Sequence, residues 1–224
     1  MIVFKHSFAL GALLAAAAAL ADPVALQDRM HLADGLFRRG MFDLAAREYE
    51  ALSREPELAG LEDVLFRLGE CKRRLKLPAE AETAYQRLVE KSPNSPNATR
   101  ARLQMALLKM ARGGDALKEA AEVFVKLSDE KVAPEVRAAA LYHLGETLER
   151  LDRPAEALER YAVLGKSFAD TDYAMYAALR SAWLLTQSGK PEDRRRALGL
   201  YLDLAHKAKD PKVAEEALFF ASQL

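Results

Sequence analysis

The chain has 224 residues, half of them apolar, and its 33 basic and 33 acidic side chains cancel. Nucleic-acid binders carry a basic excess to neutralise phosphates, so a balanced chain argues against that class. Alanine and leucine dominate, which favours helix, and a lone cysteine, Cys71, leaves no internal disulfide to form and reads as a small buried helix residue.

The N-terminus reads as an export signal. Lys5 and His6 precede an apolar run from Phe8 to Ala21, and Ala19-Leu20-Ala21 puts small residues where a signal peptidase reads them. The expectation is a signal peptide over 1–21, cleaved after Ala21, and an exported, periplasmic mature chain from Asp22. The run of 14 residues falls short of the roughly 18 to 20 that cross a bilayer. No spanning segment is therefore expected in the mature chain, and retention of the run as an anchor is the rival reading. No cysteine stands at the cleavage site, which argues against a lipoprotein.

From about Ala25 onward the chain repeats itself. Leu68-Gly69-Glu70 and the helix after it, with Ala81 and Tyr85, return 76 residues later as Leu144-Gly145-Glu146, Ala157 and Tyr161. Two repeats of about 38 residues fit that offset, inside the period range of helical solenoids. An aromatic recurs in the second helix of each unit, at Tyr49, Tyr85, Phe124, Tyr161 and Tyr201, with Ala45, Ala81, Ala120, Ala157 and Ala197 four residues before. Residues four apart share a helical face, so each second helix carries a small residue beside a ring. Gly69 and Gly145 fall inside first helices, where glycine costs about 1 kcal/mol relative to alanine; their recurrence predicts close backbone contact. Pro78, Pro154 and Pro191 predict second-helix starts, and Gly40, Gly113-Gly114 and Gly189 predict turns. Ser92 to Asn97 separates the second and third units and reads as a turn rather than a domain linker.

These residues resemble the tetratricopeptide repeat family, best at Leu68-Gly69, Ala81, Tyr85 and Pro93 and at Leu144-Gly145, Ala157 and Tyr161. The resemblance implies an all-α, right-handed solenoid of antiparallel helix pairs, with about five repeats plus a terminal helix. The expected domain is 22–224, with units near 25–56, 60–93, 97–130, 134–169 and 172–208, and a terminal helix over 211–224. It also implies that first helices line a concave, protein-binding groove. Carried over by register, the groove residues are Phe37, Arg38, Phe66, Glu70, Arg73, Arg74, Leu107, Met110, Tyr142, Glu146, Glu149, Tyr176 and Trp183. The family's usual Trp and Tyr on the first helix are replaced, for example by Leu65 and Lys72. The Lys and Asn of its two-carboxylate clamp for chaperone tails do not occur at the mapped places.

Catalytic constellations are absent from the sequence. His31, His143 and His206 belong to no zinc motif, and His143 with Glu146 reads as a surface pair. Ser128 to Lys131 matches a penicillin-binding motif by spelling alone. Lys72-Arg73-Arg74 compensates a helix C-terminus; Arg194-Arg195-Arg196, at a helix start, is the wrong sign for the dipole and would suit an anionic partner. No cofactor or metal is expected. The reading is a non-enzymatic, exported scaffold of the bacterial cell envelope that binds a peptide or protein in its groove. The alternative is a structural oligomer that self-associates through Phe219 and Phe220 on the terminal helix.

Overall fold

The computed structural model describes residues 23–55, 58, 60–129, 131–208 and 210–224. The expected signal segment and its cleavage after Ala21 lie outside the described residues. Among the described residues the fold is all-α, with eleven helices and no strand. They are α1 (Pro23–Arg38), α2 (Phe42–Leu52), α3 (Leu61–Arg74), α4 (Pro78–Lys91), α5 (Pro96–Arg112), α6 (Ala116–Leu127), α7 (Pro134–Arg150), α8 (Pro154–Ser167), α9 (Asp172–Gln187), α10 (Pro191–Lys207) and α11 (Pro211–Ala221). These make the five expected helix pairs and a terminal helix. No described helix is long and apolar enough to cross a membrane.

The described residues divide into two compact units, with the boundary between Ala98 and Thr99. In the first, α1 packs on α2, α2 on α3 and α3 on α4. In the second, each helix from α6 to α11 packs on the next, and α7 also meets α9. Contact with the neighbour in sequence, and with the neighbour after that, is what a stack of helix pairs produces.

The small-and-aromatic signature sets the packing. Ala45, Ala81, Ala120, Ala157 and Ala197 are fully buried, and so are the rings of Tyr49, Tyr85, Phe124, Tyr161 and Tyr201. Gly69 and Gly145 are there for the rings. A Cβ on Gly69 would stand 2.3 Å from Tyr85 Cε1, and one on Gly145 2.2 Å from Tyr161 Cε1. Each ring lies flat against the first helix of its own pair, where only a hydrogen fits. Cys71 is buried, and burial pushes its thiol up to about 12, with the Glu70 charge adding to it.

Pro78, Pro154 and Pro191 open α4, α8 and α10. The turns before α2, α4 and α8 share one hydrogen-bond pattern. After α3, Leu77 N–H donates to the Lys72 carbonyl and Lys76 N–H to that of Arg73; after α7, Arg153 reaches Leu148 and Asp152 reaches Glu149. Met41 and Gly40 do the same after α1. This is the Schellman cap, which needs one left-handed residue. Gly40 fills it in the first pair (φ 75°), but Lys76 (φ 60°) and Asp152 (φ 57°) fill it in the second and fourth.

Candidate functional site

In the first unit, α1 and α3 bring several expected groove residues together. Phe37 meets Phe42 edge to face at 5.5 Å. The Arg67 guanidinium lies 4.8 Å from the Phe37 ring centre, and that of Arg74 lies 5.8 Å from Phe42. Phe66 leans on Tyr85 at 5.9 Å. Glu70 accepts from the Tyr85 hydroxyl at 2.6 Å and from Arg73 Nε and Nη2 at 3.2 and 2.8 Å. Burial pushes the Glu70 carboxyl up, but the bonds from Arg73 and Tyr85 and the charges of Arg73 and Arg74 outweigh it, and the net shift is downward. Arg38 and Arg74 are exposed.

The same device ties rings to acids elsewhere. Tyr49 donates to Asp34 and Tyr161 to Glu149. Asp34 and Glu70 each follow the small residue of a first helix. In the third pair the residue after Ala106 is Leu107, and there the ring is Phe124, which has no hydroxyl to place. Leu107 and Met110 are half-buried against the core of the second unit.

The second unit concentrates the expected residues on two first helices. On α7, Tyr142, Glu146 and Glu149 are four and three apart and share a face; on α9, Tyr173, Tyr176 and Arg180 do the same. The Tyr142 ring is the hub, 5.1 Å from His143, 5.6 Å from Tyr173, 6.1 Å from Tyr161 and 6.4 Å from Tyr176. Beside it lies a closed set of charges. Arg180 donates to Glu149 through Nε at 2.8 Å and Nη2 at 3.0 Å, a two-point pairing, and its Nη1 is 3.7 Å from Glu146. Glu146 also meets His143 Nδ1 at 2.9 Å. Burial pushes the Tyr142 hydroxyl up to about 12, helped by the Glu146 charge. Burial also pushes Glu146 up, but the bond and charge of His143 and the charge of Arg180 hold it below its ordinary value. The Glu149 side chain is 8% exposed, whereas Tyr176 is 45% and Trp183 46% exposed. What faces outward here is aromatic, and the ions are turned on one another.

Trp183 borders a cavity of about 280 Å³ with Leu179, Arg180, Tyr201, Glu216 and Phe220, so Arg180 joins the tyrosine cluster to that hollow. At the end of α10 a larger cleft, about 700 Å³, is rimmed by Asp170, Asp172, Asp203 and Asp210, with Lys207 paired to Asp203 at 3.2 Å. Among the described residues no three His, Cys, Asp or Glu side chains converge as a metal site. Tyr173, Arg180 and Asp34 are site residues that sequence register missed. The signal for the first two was available: they sit three before and four after Tyr176, opposite a tyrosine and two acids on α7.

Stacked helix pairs, with Gly69 beneath the Tyr85 ring and Gly145 beneath that of Tyr161, define a helical-repeat fold, an architecture suited to presenting an interaction surface. The family described as Tetratricopeptide repeat matches residues 63–95 and 139–171, the two units that carry Gly69 with Tyr85 and Gly145 with Tyr161. The match is confined to those two units, and the chain as a whole is similar to tetratricopeptide-repeat proteins in its fold. Solved structures share the fold. MamA 41-end from Desulfovibrio magneticus RS-1 is 14% identical at a TM-score of 0.65, over 86% of this chain and 99% of that one. PilF of Pseudomonas aeruginosa is 17% identical at 0.61, over 89% and 91%. YrrB, described as a tetratricopeptide protein with an unusual peptide-binding site, is 24% identical at 0.55, over 70% and 75%. No curated protein matches the sequence.

Proposed function

We propose that the protein is an exported, non-enzymatic scaffold of the bacterial cell envelope that holds a peptide or protein segment on the first-helix face of residues 99–224. The observation that carries this is the exposed aromatic face of α7 and α9. Tyr and Trp are the types that dominate binding energy at interfaces, because they supply large, rigid contact area. Tyr176 and Trp183 are uncovered although the rings of the repeat signature are buried. The peptide-binding site described for YrrB is a precedent within the same fold. The apolar run before Asp22 supports export.

The test is capture from envelope extract with Asp22–Leu224 as bait, beside a folded variant carrying Tyr142→Ala, Tyr176→Ala and Trp183→Ala. A partner retained by the first and lost by the second supports the reading; equal retention by both removes the aromatic face from it. Mass analysis of the protein from fractionated cells checks the export part: a periplasmic form starting at Asp22 is expected.

Self-association is a second reading, favoured by α11. Phe219 is 61% and Leu218 52% exposed, whereas Phe220 stacks on Tyr201 at 5.6 Å. Phe219, not Phe220, is therefore the residue available to a second copy. Light scattering should show concentration-dependent mass that Phe219→Glu abolishes; a constant monomer mass would end this reading.

A further inference from the structure

We infer that the Tyr142–Tyr173–Tyr176 face takes a proline-rich, extended segment, an inference that rests on the scaffold reading above and names the chemistry of its ligand. The first argument is charge. Glu149 is occupied by two Arg180 nitrogens and the Tyr161 hydroxyl, and Glu146 by His143 and Arg180. Each ion on this face already has a counter-ion or hydrogen-bond partner within the cluster. An acidic or basic peptide would have to break those pairs, losing as much as it gained. The complementary ligand is uncharged.

The second argument is the surface that remains. Tyr142 and Tyr173 are half-buried and Tyr176 is exposed, with ring centres 5.6 and 6.4 Å from the Tyr142 hub. A polyproline II segment has three residues per turn, each rising about 3.1 Å, so one turn of about 9 Å lies across neighbouring rings of this contiguous aromatic surface. Such a segment makes no internal hydrogen bonds and leaves its carbonyls outward. The Tyr173 and Tyr176 hydroxyls make no hydrogen bond among the described residues and are available as donors. Proline has no N–H of its own to satisfy, so tyrosine hydroxyls and ring faces supply all that it needs. The segment is also stiff before it binds, which lowers the ordering cost on a flat aromatic platform. An amphipathic helix would want an aliphatic trough, and this face offers hydroxylated rings beside ion pairs.

The experiment uses the mature-length chain and labelled peptides of roughly twelve residues, about four polyproline turns. One is built of Pro-Pro-Ala repeats. The comparators are a Gly-Ser peptide, an acidic and a basic peptide, and an amphipathic Ala-Leu helix. Anisotropy should show binding of the proline peptide over the Gly-Ser peptide by at least about tenfold. Screening acts on charge pairs, so affinity should change by less than about twofold between roughly 0.05 and 0.5 M salt. Tyr176→Ala should weaken binding by about tenfold or more and Tyr176→Phe by less, because the ring is kept. Tyr176 is an exposed side chain, so its truncation leaves the fold in place, which circular dichroism verifies. Proline-peptide binding that Tyr176→Ala leaves unchanged would overturn the inference. So would preference for a charged or helical peptide that Tyr176→Ala abolishes, and that result would leave the scaffold reading standing. No peptide bound and no partner captured by the same bait would remove both.

Discussion

At the scale of single residues, the contact between Gly145 and Tyr161 is the tightest test of the packing. Alanine would improve helix propensity by about 1 kcal/mol, but its methyl would stand 2.2 Å from a buried ring with nowhere to retreat. Gly145→Ala should therefore destabilise, by about 1–3 kcal/mol net as overpacking does, in urea unfolding followed by circular dichroism. Tyr161→Phe keeps the ring and removes the hydroxyl that Glu149 accepts, and should cost about 1.5 kcal/mol, within the range for hydrogen bonds to charged groups. Glu70 and Glu146 give the pH dependence. Both carboxyls are held below their ordinary values in the folded chain, so the unfolded chain binds more protons as pH falls below about 5. The stability they contribute is complete above the unfolded carboxyl value of about 4.3 and is lost as pH falls through the lower folded value. Replacing both by Gln should flatten the acid limb of the stability profile; an unchanged slope would mean that their partners do not favour the charged form.

At the scale of elements, the Schellman caps explain why first helices end where they do. Lys76 and Asp152 hold left-handed backbone that costs an L-residue about 1–2 kcal/mol and suits glycine, which Gly40 demonstrates at the same place in the first pair. Lys76→Gly should stabilise by about 0.5–1 kcal/mol, seen as a higher urea midpoint with an unchanged slope. The terminal helix divides between two roles. Val213 and Ala217 are buried and Phe220 stacks on Tyr201, so α11 is packed on one side; Leu218 and Phe219 are open on the other. Phe219→Ser should change stability by no more than about 0.5 kcal/mol, as for exposed sites, whereas Phe220→Ala should cost several times that. Equal effects would place the helix in a different rotation.

At the scale of the molecule, a repeat stack couples each pair mainly to its neighbours. Damage should stay local. In native-state hydrogen exchange, Gly69→Ala should speed exchange in α3 and α4 while leaving α7 and α8 near wild type, and Gly145→Ala should do the reverse. Uniform loss of protection in both cases would mean that the chain unfolds as one cooperative body.

The helix pairs and their packing were legible in the sequence because their determinants are local. A proline opens a helix, and an alanine and a ring four residues apart share a face whatever surrounds them. The glycines beneath the Tyr85 and Tyr161 rings were legible through the recurrence of Gly69 and Gly145. The candidate site was only half legible. Register placed Tyr142, Glu146, Glu149, Tyr176 and Trp183 on first helices, but it could not say which of them face solvent. Tertiary structure decided that Glu149 is held inward by Tyr161 and Arg180, that Tyr173 and Arg180 complete the face, and that Phe219 and Phe220 part company. It also put Lys76 and Asp152 where glycine would be expected. The reason is physical: a carboxylate's role depends on the side chains that approach from other helices, as Arg180 approaches Glu149 from 31 residues away. That approach is set by how α7 and α9 pack, not by any spacing along the chain.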